Sequence, residues 1–196
     1  YRNLSHSVYI VKEYFQKLLG KLNLIAVFWW GIRTGTGMTF VGKCYFKRLP
    51  GSKILIGNNC KFLSKPFSNH IGINRPCMIS THRTKDALIE IGDNCGFSGT
   101  VIACFKHIQI GNNVRCGANT LITDADWHFD DYRSGRAYPI NIEDNVWLGE
   151  GVKVLKGVKI GKNSFIGAGS IVRNNIPANV VATGDPCLVL KSLLKE

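Results

Sequence analysis

Five histidines stand in this chain of 196 residues: His6, His70, His82, His107 and His128. Only His128 is embedded among acids, in the run Asp124-Ala-Asp126-Trp127-His128. An imidazole titrates near neutral pH, so it takes up and returns a proton at little cost. A carboxylate beside it can hold one ring tautomer and steady the imidazolium, and Asp126 or Asp124 is placed in sequence to do so. The plain alternatives are a solvated loop histidine, and an Asp124 that only ends a strand with an Asx turn. The seven cysteines form no Cys-x-x-Cys pair, so neither a zinc ribbon nor a disulfide framework is encoded. Two glycine-rich runs fall short of phosphate-binding motifs. Gly157-Val-Lys-Ile-Gly161-Lys162-Asn163 is one residue short of P-loop spacing, and its lysine has no Ser or Thr after it. Gly167-Ala-Gly169 lacks the third glycine of a dinucleotide fingerprint.

The elements that must position His128 are legible in a repeat. Stepping by six from Ile142 meets Leu148, Val154, Ile160, Ile166 and Val172, and Gly follows three of these six positions. Ile110, Cys116 and Ile122 keep the step, as do Ile91, Phe97 and Ala103, with a one-residue slip before Ile110. Ile56 and Phe62 carry it more weakly. A period of six fits neither a helix nor an ordinary strand. It fits a short strand and a turn, repeated, with three hexads to a coil and one aliphatic column inside. Asparagines at 58, 59, 94, 112, 113, 145 and 163 suit the corners, because Asn tolerates positive φ. Cys60, Cys77 and Cys116 fall on inward positions as small hydrophobes. The period fails at residues 83–88 and 125–139. The second break holds Trp127, His128 and Arg133, and extruded loops of this kind usually carry function.

The first residues read differently. Val8, Val11, Phe15, Leu18, Leu22, Ile25 and Trp29 follow three- and four-residue steps, the stripe of an amphipathic helix. Residues 1–53 hold nine Lys/Arg against a single acid, Glu13, out of a formal net charge of +12 for the chain. Two compatible readings follow. The helix caps the open end of the coil, or it lies as a basic face on an anionic membrane surface. The reading divides the chain into a helical segment at 1–33, a repeat domain at 34–187 with its loop at 125–139, and a C-terminal cap at 188–196. Unpaired cysteines and an apolar run, Leu24–Trp30, far shorter than the ~20 residues of a membrane span favour a cytoplasmic setting, with the inner membrane surface as a peripheral contact. No nucleic-acid module is visible.

Residues 142–186 carry a set of motifs that resembles a known family. Asn145-Val-Trp-Leu-Gly149, Ile166-Gly-Ala-Gly-Ser170, Asn175-Ile-Pro177 and Ala182-Thr-Gly-Asp-Pro186 are similar to the hexapeptide-repeat O-acetyltransferases. These include galactoside and maltose acetyltransferases and the sugar O-acetyltransferases of surface-polysaccharide pathways. The resemblance implies an all-β fold, a left-handed parallel β-helix, assembled as a homotrimer with sites between subunits. It implies acetyl-CoA as co-substrate, a sugar or polysaccharide-precursor hydroxyl as acceptor, and no metal.

Residue by residue, the resemblance makes His128 the general base. Backbone N–H groups near Gly149 and Glu150 would hold the oxyanion, although many relatives have Ser or Ala in place of Glu150. Trp147 matches a residue beside the CoA channel, and Gly167 and Ala168 offer close approach to the pantetheine arm. Arg173 and Lys191 match positions at the nucleotide end, and Leu188 stands where some relatives are basic. Ser98 resembles a position that touches the acceptor hydroxyl. Two rivals share the fold: a non-catalytic β-helix scaffold, and the γ-type carbonic anhydrases, which require three zinc-ligating histidines at set spacings.

Overall fold

The computed structural model describes residues 2–82, 85–128 and 130–194. A strand turns alternate side chains to one side, so a strand of two to four residues buries only one or two. Lys53–Ile56 buries Ile54 and Ile56, and Lys153–Val154 buries Val154. Such strands are too short to stand alone and persist by stacking on one another.

Three sheets result. The first joins Arg33–Thr34, Lys53–Ile56, Leu88–Ile91, His107–Ile110, Ile140–Ile142 and Lys159–Ile160 in that order. The second joins Thr39–Val41, Lys61–Leu63, Gly96–Ser98, Arg115–Ala118, Trp147–Leu148, Phe165–Ile166, Val180–Thr183 and Leu188–Ser192. The third joins Tyr45–Lys47, Met78–Thr81, Val101–Cys104, Leu121–Thr123, Lys153–Val154 and Ile171–Val172. Up to Ile171–Val172 the chain visits the three sheets in rotation. All pairings are parallel except the last of the second sheet, where Leu188–Ser192 runs antiparallel to Val180–Thr183.

The register turns the six-residue step into continuous columns. Ile56, Ile91, Ile110, Ile142 and Ile160 stack on the first sheet. Phe40, Phe62, Phe97, Cys116, Leu148, Ile166 and Ala182 stack on the second. Phe46, Ile79, Ile102, Ile122, Val154 and Val172 stack on the third. All belong to one buried core. Phenylalanine fills it at the N-terminal end, with Phe62 stacked on Phe40 at 5.3 Å and on Phe97 at 5.0 Å.

The irregularity in the repeat begins earlier than the periodicity predicts. Ile102, not Ala103, aligns with Ile79 and Ile122. The register shifts between Phe97 and Ser98, opposite Gly117, so the step from Phe97 to Ile102 is one residue short and that from Ile102 to Ile110 is two residues long. The periodicity also passes over an excursion at residues 64–77, between the Lys61–Leu63 and Met78–Thr81 strands. At the corners, Asn59, Asn94, Asn113, Asn145 and Asn163 take positive φ, while Asn58 and Asn112 do not. Their side chains instead cap backbone N–H groups, Asn58 at Thr36 and Asn112 at Asp93. All seven cysteines are buried and free, and burial pushes the thiols of Cys104 and Cys116 well up.

The N-terminal helix, Arg2–Trp29, packs on the Thr39–Val41 strand, but not with its apolar stripe. Among its described side chains, Gly20, Asn23 and Val27 are the buried ones. A Cβ at Gly20 would lie 2.8 Å from the Phe40 carbonyl oxygen, so glycine permits the close approach. Asn23 donates to the carbonyls of Gly20 and Gly42 and accepts the Cys44 N–H at 2.8 Å. At the other end, Leu188, Val189 and Leu190 are exposed on the antiparallel edge strand.

Candidate active site

The loop carrying His128 leaves the end of the Leu121–Thr123 strand and re-enters at Ile140–Ile142. Asp124 sits at its root, fully buried. The Asp124 carboxylate accepts backbone N–H bonds from Phe105 at 2.7 Å, Lys106 at 2.7 Å and His107 at 2.8 Å. Those bonds occupy its oxygens in closing the corner of the preceding circuit, which is the plain structural role. The Tyr138 N–H returns to the Asp124 carbonyl, and the Gly157 N–H donates to the Tyr138 carbonyl, so both feet of the loop are pinned.

Asp126 turns the other way. Its Oδ2 lies 2.5 Å from Lys156 Nζ and accepts the Gly135 N–H at 2.8 Å. The Lys156 ammonium, helped by that N–H, holds the Asp126 carboxyl below the usual carboxylate range. Farther out, Asp131 grips the Arg133 guanidinium and backbone N–H. His128 itself is exposed and shares a shallow pocket with Asp130, Asp131 and Tyr132. Among the described residues, no hydrogen bond joins the His128 ring to Asp124 or Asp126. The two acids thus build the loop around His128 and do not touch its imidazole.

Sequence reasoning passed over His82, which lies beside the broken repeat at 83–88. Its ring stacks on Phe105 at 5.1 Å and meets the edge of Trp127 at 5.3 Å, and Nε2 is 2.8 Å from Ser80 Oγ. Trp127 also stands edge-on to Phe105. The residue before His128 is therefore anchored on an aromatic cluster. His107 is engaged elsewhere, with Nε2 2.9 Å from Glu90 Oε2. Among the described residues, no group of three or more His, Cys, Asp or Glu side chains is placed to hold a metal ion.

The remaining site residues gather mainly along one corner, between the second and third sheets. Ser98 pairs with Ala118 in register and accepts a bond from Asn69 Nδ2 at 3.2 Å. In the next circuits a Cβ at Gly149 would lie 2.6 Å from the Ala168 nitrogen, and one at Gly167 would lie 2.5 Å from Thr183 Oγ1. Glycine there keeps successive backbones in contact and the outer surface low. Trp147 is half exposed and leans on Phe165 at 4.8 Å. Arg173 follows the Ile171–Val172 strand and reaches Asp185 Oδ1 at 3.4 Å. Lys191 lies on the edge strand opposite Val181. The glycine corner and the His128 loop thus sit at opposite ends of the third-sheet strands.

The family model described as Bacterial transferase hexapeptide (six repeats) matches residues 139–174, and the chain carries that repeat. It is similar to the galactoside O-acetyltransferase of Lactococcus lactis, with 40% identity over 142 residues, covering 70% of this chain and 62% of that protein. It is also similar to the galactoside O-acetyltransferase of Escherichia coli, with 41% identity over 111 residues and 54% of each covered. The chain therefore spans somewhat over half the length of these relatives. Among solved structures, its fold is like that of an AntD mutant, an N-acyltransferase from Bacillus cereus in complex with dTDP-4-amino-4,6-dideoxyglucose and coenzyme A. The TM-score is 0.65 at 14% identity, covering 89% of this chain and 90% of that one.

Proposed function

We propose that this chain is an acetyl-CoA-dependent O-acetyltransferase acting on a sugar hydroxyl, with His128 as general base, in the assembly or modification of a surface polysaccharide or a small sugar. The observation that carries the reading is the latched loop. Both its feet are pinned, the Asp126–Lys156 pair braces it, and Trp127 is seated on His82 and Phe105. His128 is left as an exposed imidazole on a braced support. The galactoside O-acetyltransferase relatives support the reaction class.

The His128 imidazole takes the proton of the acceptor hydroxyl as its oxygen attacks the thioester carbon. The Gly149 N–H is taken by the Ile166 carbonyl, so the neighbouring Glu150 N–H holds the oxyanion of the tetrahedral intermediate. The C–S bond then breaks, and the imidazolium returns its proton to the departing CoA sulfur. The low glycine corner at Gly149, Gly167 and Ala168 admits the pantetheine arm, flanked by Trp147. Arg173 and Lys191 supply cations for the nucleotide phosphates. Ser98 faces the acceptor.

The split between corner and loop supports a homotrimer of left-handed β-helices. In such an assembly the third sheet of each protomer lends its loop to one cleft and its glycine corner to another. Seven free, buried thiols suit a reducing cytoplasmic compartment.

His128→Ala is expected to lower acetyl-CoA-dependent turnover on the accepted sugar by about 10²- to 10⁴-fold, the usual worth of a general base. Oligomeric mass by light scattering and CoA binding by calorimetry should be retained. Turnover within a few-fold of wild type would overturn the assignment of the base. Absence of any CoA binding to the wild-type chain would favour the non-catalytic scaffold instead.

A further inference from the structure

The helix Arg2–Trp29 presents two faces with different chemistry. Its inner face, Gly20, Asn23 and Val27, is used up on the first circuit of sheets. At 100° per residue, the stripe of Val8, Val11, Phe15, Leu18, Leu22, Ile25 and Trp29 lies about half a turn away. Every one of these side chains is exposed, Val11 at 67% and Trp29 at 81%. Phe28 widens the face, and the excursion at 64–77 adds Phe67, 96% exposed, and Ile71. Val11, Phe15, Val41, Pro66 and Phe67 line one groove between helix and excursion, with Lys65 at its rim. Single exposed hydrophobes are ordinary, but a continuous face along a helix about 40 Å long calls for an occupant.

Charge chooses the occupant. The first 53 residues carry nine Lys/Arg against Glu13, whereas the other 143 carry sixteen against twelve acids. Among the described side chains, the ion pairs all involve residues from Glu90 onward, so none of the described cations of the N-terminal segment is spent on an internal carboxylate. Lys21 is exposed beside the stripe. A second copy docked on this face would set two strongly basic segments together, and like charges across an interface repel. An anionic lipid surface attracts both features at once. Its headgroups meet the cations, and its acyl boundary takes up the stripe and the ring of Trp29. No helix among the described residues is long and apolar enough to cross a membrane, so the contact is in the plane of the surface.

We infer that this chain binds anionic membrane surfaces through the outer face of its N-terminal helix and the Phe67 loop. The inference does not depend on the proposed catalysis. The test is co-sedimentation of the whole chain with vesicles of phosphatidylcholine, with and without one-third phosphatidylglycerol. The bound fraction should rise by about tenfold or more on the anionic vesicles, as several lysines near such a surface would give. It should fall back to the neutral-vesicle level in Leu18→Glu/Leu22→Glu, and also in Lys21→Glu/Lys65→Glu. Since these side chains are exposed, far-ultraviolet dichroism and melting temperature should match wild type. Equal sedimentation on both vesicle types, or undiminished binding by the stripe variant, would overturn the inference. So would stripe-dependent self-association, read by light scattering, without vesicle binding.

Discussion

Asp126 Oδ2 accepts Lys156 Nζ at 2.5 Å and the Gly135 N–H at 2.8 Å, so one carboxylate oxygen ties the near limb of the His128 loop to its far limb and to the next circuit. In the proposed mechanism Asp126 is a positioning residue, acting on His128 through the loop and not through its ring. Lys156→Met should lower kcat by about tenfold, because a loosened base spends less time in the attacking geometry. It should leave the melting temperature nearly unchanged, since a partly exposed ion pair adds little stability. Lys156→Arg should recover part of kcat. Unchanged kcat in Lys156→Met would remove the loop latch from the mechanism.

The same pair sets a pH limit. The native Asp126 carboxyl titrates below its ordinary value of 3.8. A group depressed in the folded state contributes its stabilisation above the unfolded pKa and loses it as pH falls through the folded one. Proteolysis within residues 125–139 should therefore be slow and constant from neutrality down to about pH 4, then rise below it. In Lys156→Met cleavage should be faster already at neutral pH, and the rise at low pH should be smaller. An acid-stable protease reads both profiles.

Asp124 separates structure from chemistry. Its buried carboxylate accepts three backbone N–H groups, and Asp124→Ala orphans all three. Each buried donor left unmet costs about 1–3 kcal/mol, so a loss on the order of 3 kcal/mol or more is expected in urea unfolding. A variant that unfolds at the wild-type midpoint but has lost turnover would instead return Asp124 to the role of His128 orienter.

Gly161 and Gly96 form a matched pair. A Cβ at Gly161 would fall 2.3 Å from the Ala178 nitrogen, which is backbone and cannot swing away, while one at Gly96 meets nothing within 4 Å. Gly161→Ala should cost about 1–3 kcal/mol by overpacking. Gly96→Ala should change stability by no more than about 0.5 kcal/mol. Chemical denaturation of the two variants checks the contrast.

The repeat was legible because burial demands it. A strand that turns inward once per hexad must place an aliphatic residue there, and Ile142 through Val172 show the demand without interruption. It blurred where other groups do the filling. Ala103 looks inward by count, yet Ile102 takes the column because the chain is one residue short between Phe97 and Ser98, opposite Gly117. The excursion at 64–77 was hidden among weak hexads, and with it the contact from Asn69 to Ser98. Of the site, the exposed histidine on an extruded loop could be read from the broken period. The partners of Asp124 and Asp126 could not, because Phe105, Gly135 and Lys156 are brought to them by stacking and not by sequence proximity. His82 was likewise invisible, as its link to Trp127 crosses 45 residues of chain.

Leu22 and Asn23, adjacent in sequence, lie on different faces of the N-terminal helix. A periodicity argument buries Leu22 with the stripe and leaves Asn23 in water, whereas Leu22 is exposed and Asn23 is buried. The Asn23 amide accepts the Cys44 N–H and donates to the Gly42 carbonyl, meeting backbone groups that the first circuit leaves without a neighbouring strand. Asn23→Ala should therefore cost about 1–3 kcal/mol by leaving those groups buried and unmet. Leu22→Ala should cost no more than about 0.5 kcal/mol. Because the Gly20, Asn23 and Val27 face is the one that the described side chains bury, limited proteolysis should cut Asn23→Ala within residues 1–29 faster than wild type, while the repeat domain stays intact. The opposite ranking of the two variants would mean that the stripe, not the asparagine, docks the helix on the sheets.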